Sequence, residues 1–197
     1  MKKYFLYFLS ALVIVCCLTA CNGSGAGQVS AETVEIKTVE PPENGWTWEQ
    51  ISDVIYINNQ KISNPINCNF IKSIFKIGDI EYSEKMQSAA AALYFKGKYA
   101  CGIAFYHDSS EDTVNDESIV KNLVFSAVIN ESDINNESLI CINGVRLGTS
   151  YEDLILKLGE PTENNGNMIY SIGKSEIVFR INDEGIIDFI VLLGLEK

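Results

Sequence analysis

Apolar and polar residues alternate most regularly near the C-terminus. Ile177, Phe179 and Ile181 are separated by Val178 and Arg180, the period-two signature of a strand. Upstream, Leu154, Ile155 and Leu158 form an i, i+1, i+4 apolar stripe that predicts a helix. Thr149 or Ser150 stands where an N-cap is needed, Gly159 supplies a left-handed C-terminal residue, and Pro161 prevents continuation. Gly173-Lys174 reads as a two-residue hairpin with Gly first, as a type II′ turn requires. Asn182-Asp183-Glu184-Gly185 turns the chain into a final apolar run, Ile186 to Leu192. With the run Ile140-Cys141-Ile142 ahead of the helix, the order is β-α-β-β-β.

The same order recurs earlier in the chain. Ile55-Tyr56-Ile57-Asn58-Asn59 lines up with Ile140-Cys141-Ile142-Asn143-Gly144, and Phe75-Lys76-Ile77-Gly78-Asp79 with Leu156-Lys157-Leu158-Gly159-Glu160. Tyr94 and Tyr170 occupy matching places in the two copies, and Leu123 to Ile129 matches the final apolar run. A longer polar connection, His107 to Ser118, interrupts the first copy, and Thr47-Trp48-Glu49-Gln50 ahead of it has the form of a capping box. The expectation is an α+β fold of two tandem β-α-β-β-β units, over residues 46–130 and 131–197. Short helices cannot bury themselves, so they are expected on one face of an antiparallel sheet.

The second copy, with its run LGTSYEDLILKLGEPT, an aromatic strand and a strand-turn-strand end, resembles small secreted bacterial domains. It is similar to the outer-membrane assembly lipoproteins of the SmpA/OmlA type and to the tandem-repeat β-lactamase inhibitor proteins. The match covers residues 139–193 well and 54–130 loosely. It implies helices on one face of an antiparallel sheet, and it carries over no catalytic residue, so it speaks to fold rather than activity.

The N-terminus has another pattern. Lys2 and Lys3 precede an uncharged, strongly apolar run from Tyr4 to Ala20, the layout of a secretory signal peptide over residues 1–20. As a helix, its 17 residues reach about 25 Å, short of a hydrocarbon core of about 30 Å. The run ends in Leu18-Thr19-Ala20-Cys21, which resembles the lipobox of bacterial lipoproteins. That resemblance implies a diacylglyceryl group on the Cys21 sulfur, cleavage before Cys21, and a lipid anchor on the extracytoplasmic side of the cell membrane. Two acyl chains hold stably where one holds only marginally. Gly/Ser-rich residues, then Glu32, Glu35, Glu40 and Pro41-Pro42, give residues 21–45 the composition of an extended tether. Within it, Thr33 to Lys37 has the composition of an edge strand.

Charge narrows the partners. The chain has 15 Lys+Arg against 26 Asp+Glu, a net charge of −11. Loss of residues 1–20 removes two lysines and no acid, which takes −11 to −13. Anionic headgroups repel such a surface, so the folded part is expected to stand off the membrane. The acidity and the presence of only two arginines, Arg146 and Arg180, argue against nucleic acid as a partner.

Candidate chemistry is sparse. His107 is the single histidine, which excludes a His-rich metal site, and no G-x-S-x-G elbow accompanies it. The acidic loop Asp108 to Glu117 starts like an EF-hand, but Thr113 stands where glycine is needed and Ile119 where a bidentate Glu is needed. Beyond the signal peptide and Cys21, three cysteines remain: Cys68, Cys101 and Cys141. They allow one disulfide with a free thiol, or three buried thiols, and the preference of free cysteine for apolar interiors favours the second. The expectation is no catalytic residue, no metal and no cofactor. Tyr94, Tyr99, Tyr106 and Tyr170, all on predicted strands, are the candidate binding residues, because tyrosine buries area at low entropy cost and keeps a polar tip. The expected function is a non-catalytic, membrane-anchored binding or assembly module for a protein or envelope partner. An inhibitor of a secreted enzyme is the alternative, and a carboxylate-pair hydrolase ranks last.

Overall fold

The computed structural model describes residues 35–107, 113–127 and 139–195. Helices occupy Trp48–Ser52 (α1), Cys68–Ile74 (α2) and Tyr151–Leu158 (α3). In the first half of the chain lie β1 (Ile55–Ile57), β2 (Gln60–Lys61), β3 (Lys76–Ser83), β4 (Ser88–Phe95), β5 (Lys98–Tyr106) and, beyond the polar connection, β6 (Val120–Ser126). In the second half come β7 (Ile140–Ile142), β8 (Glu163–Asn164), β9 (Asn167–Ile172), β10 (Ser175–Ile181) and β11 (Ile187–Leu193).

Strand makes up 46% of the described residues and helix 14%, in two antiparallel sheets. The fold is therefore β-rich, which corrects the expected α+β class with tandem β-α-β-β-β units and helices laid on one sheet face. The helices are too short to form a layer: α2 buries Cys68 and Ile71, and α3 buries Leu154 and Leu158. Pairing also departs from expectation. The first strands of the two expected units pair with each other, Tyr56 opposite Cys141, in a three-stranded sheet of order β2-β1-β7. The remaining strands form one sheet of order β3-β4-β5-β6-β11-β10-β9-β8, in which β6 and β11 join the halves through Val124 opposite Val191. One core cluster runs through both halves, from Ile51 and Phe105 to Phe179 and Leu192.

Three local readings hold, whereas Phe75-Lys76-Ile77-Gly78-Asp79, aligned with the glycine-ended helix of the second copy, runs into β3 instead of ending a helix. Thr47 and Gln50 form a complete capping box on α1. Ser150 caps α3, its side chain accepting from the Asp153 N–H, and Gly159 ends it at φ +79°. Gly173 takes φ +65° in the β9–β10 hairpin.

The last residues of the segment expected to be tether are held against the folded body. The buried Asn143 side chain accepts from the Val39 N–H (2.7 Å) and donates to the Val39 and Lys157 carbonyls (2.8 and 2.6 Å). The Lys37 N–H donates to the Tyr56 hydroxyl, and the Trp46 Nε1–H donates to the Leu158 carbonyl. Residues 37–46 thus form a strap across the end of α3.

Candidate binding face

Each strand of the large sheet sends alternate residues to opposite faces. On one face Leu93, Cys101, Ile103, Phe105, Leu123, Phe125, Ile190, Leu192, Ile177, Phe179, Met168 and Tyr170 enter the core. The other face carries a continuous cross-strand row, Ala92–Gly102–Val124–Val191–Val178–Ile169, read directly from the register of five strand pairs. None of these six residues belongs to the core cluster, although Val191 is only 7% exposed. β-Branched side chains shield one another across the strands, which leaves a half-buried apolar band.

Beside the band, between β3 and β6, lies a groove of about 520 Å³ floored by Ala90, Ala92, Gly102 and Ala104 and flanked by Asp79 and Glu81. Tyr94 lines the groove and packs edge to face on Tyr99, with ring centroids 6.3 Å apart. A Cβ on Gly78 would lie 3.0 Å from the Tyr94 ring, and one on Gly102 would lie 3.8 Å from the Tyr99 hydroxyl. Gly78 is what lets Tyr94 lie against the sheet, whereas the contact at Gly102 is an ordinary one that a methyl group would fit. Burial, then Cys101 and Tyr94, push the Tyr99 phenol up, so it presents a neutral hydroxyl at neutral pH. Tyr106 lies further along β5, with the Lys121 ammonium 5.6 Å from its ring centroid.

Tyr170 is elsewhere. It is 4% exposed, packs edge to face on Phe179, and donates its hydroxyl to the Gly159 carbonyl at 2.8 Å. Unlike the other three candidate tyrosines it points to the inner face of the sheet, where it packs in the core and locks the end of α3. Strand parity decides the matter, because β9 sends Met168, Tyr170 and Ile172 inward and Ile169 outward. Sequence reading missed Ile169, Val178, Val124 and Val191, whose signal was β-branched residues at the positions between core residues.

Acids frame the outer face. Glu163 pairs with Ile169 at one edge, Glu81 with Ala90 near the other, and Glu176 faces Leu193. Arg180, opposite Phe189 and 5.0 Å from its ring centroid, is held by both Asp188 oxygens at 2.8 and 3.0 Å.

Cys68, Cys101 and Cys141 are free, buried thiols, each pushed up by burial and so poor nucleophiles. His107 packs on Tyr82 at 4.8 Å between ring centroids. Among the described residues there is no group of three His, Cys, Asp or Glu side chains placed to hold a metal ion, and no helix long and apolar enough to cross a membrane. Residues 1–20, Cys21 and Asp108 to Asp112 lie outside the described residues. No protein-family model, curated protein or solved structure matches this chain.

Proposed function

We propose that this protein is a lipid-anchored, extracytoplasmic binding module without catalytic activity. Cys21 attaches it to the membrane, and the outer face of its eight-stranded sheet docks a protein partner of the cell envelope. The observation that carries this reading is the apolar row from Ala92 to Ile169, on the face turned away from the core. Eight strands at a spacing of about 4.8 Å span roughly 34 Å, wide enough for an ordinary interface of about 800 Å² per partner. The acids around the row give the partner its chemistry: an apolar centre ringed by Lys and Arg. Repulsion between a strongly acidic body and anionic headgroups keeps that face away from the lipid and open to the partner.

Two measurements test the two halves of the proposal. Metabolic labelling with a clickable palmitate is expected to mark the wild type and not Cys21→Ser; an unlabelled wild type removes the anchor. For the face, Val178→Lys places a cation in the middle of the band without touching the core. The variant is expected to melt cooperatively yet recover at least about tenfold less of the envelope partner that cross-links to the wild type. Equal recovery by both proteins removes the face from consideration.

A further inference from the structure

A second site lies beneath the strap, and no residue of the outer-face row lines it. Between residues 41–46, the end of α3 and β9 is a cavity of about 530 Å³, in the size range of small-ligand sites. Pro41, Pro42 and Trp46 line it from the strap, and Tyr170 lines it from the sheet. Both aromatic rings are held in place by their own polar tips: the Trp46 Nε1–H donates to the Leu158 carbonyl and the Tyr170 hydroxyl to the Gly159 carbonyl, each at 2.8 Å. Rings fixed before a ligand arrives cost no ordering entropy on binding.

The charges on the lining have one sign. Glu43 from the strap and Glu160 from the end of α3 are exposed carboxylates on the lining, and no Lys or Arg lines the cavity. The C-terminal end of α3 adds the negative pole of its backbone dipole. Glu160 also adds to burial in keeping the Tyr170 phenol protonated, so its field reaches the base of the cavity. An anion is repelled from such a space, and a neutral apolar molecule gains nothing from the carboxylates. A methylated or alkyl-bearing cation gains from the half-buried Trp46 ring, the prolines and both acids together, over a base closed by the buried Tyr170.

We propose that this cavity binds an alkylammonium group, as a free small amine or as the end of a lysine side chain. The strap is one of its walls, so binding depends on the Asn143 clamp that holds Val39. Titration of the processed chain with choline and with N-acetyl-lysine amide, followed by calorimetry and by the NMR signal of the Trp46 indole N–H, tests this. At least one of the two is expected to bind saturably and shift that signal, and the tighter one names the source. The carbon isostere of choline, 3,3-dimethylbutan-1-ol, is expected to bind at least about tenfold more weakly. Glu43→Gln/Glu160→Gln alters two exposed side chains, so the fold is retained, and is expected to weaken the cation by about five- to tenfold. No saturable binding of either cation, equal binding of the alcohol, or unchanged affinity in the double variant would each overturn the proposal.

Discussion

Asn143 shows how much one side chain does here. It is 1% exposed and sits at φ +48°, a conformation that Asn tolerates better than most residues. Its amide stands in for a strand, taking the N–H of Val39 and giving one to the Val39 carbonyl, while also satisfying the Lys157 carbonyl. Asn143→Ala strips three hydrogen bonds made by a buried amide, and a loss of about 2–4 kcal/mol is expected from urea unfolding. Limited proteolysis of the variant is expected to cut within residues 37–46 well before the body is digested; an uncut strap would show that the clamp is dispensable. In the sequence, Asn143 stands out only as part of the repeat alignment, because its partner Val39 lies 104 residues away. The tyrosines carry the same lesson. Residue type marked Tyr94, Tyr99, Tyr106 and Tyr170 alike, but the direction of each ring depends on strand register, and a shift of one residue reverses it.

Elements were the most readable level. The capping box of α1, the Ser150 cap and Gly159 terminus of α3, and the Gly173 hairpin were predicted by rules that act within four residues and were found in place. Ser150→Ala is accordingly expected to cost about 1 kcal/mol in urea unfolding, through loss of the bond from the Asp153 N–H. Gly194 presents a different case, because its constraint is tertiary. It holds φ +58°, and an added Cβ would sit 2.9 Å from the Lys174 carbonyl oxygen, a backbone atom that cannot step aside. Gly194→Ala is expected to cost about 2–3 kcal/mol, clearly more than Ser150→Ala measured in the same way. A smaller cost at Gly194 would mean that the close approach of the β11 end to the β9–β10 hairpin relaxes. Helix length was the weak point of the reading: an apolar stripe predicts that a helix exists but not whether it is large enough to form a layer.

Across the whole molecule, buried titratable groups couple stability to pH. Cys101 and Tyr170 are almost fully buried, and burial is the first cause that raises each above its usual value of 9.0 or 10.0. Below the usual values both states keep the protons, and these groups do not affect the balance. Above them the unfolded chain releases protons that the folded chain retains, so stability falls as pH rises, by up to about 1.4 kcal/mol per pH unit for each such group. Urea unfolding is therefore expected to give one stability at pH 7 and 8 and a steep decline from pH 9 to 10.5; a flat profile would show that these groups are solvated in the native state. The same burial predicts that Cys68, Cys101 and Cys141 react with a thiol reagent only after unfolding. What could be read from the residues alone was whatever is set by near neighbours: turns, caps, strand runs, the acidic charge and the cysteines' preference for an apolar interior. The joining of β1 to β7 and of β6 to β11, the clamped strap, the inward turn of Tyr170 and the apolar row of the outer face were settled by packing. Each depends on residues far apart in the chain meeting in a definite register, and local propensity carries no record of that distance.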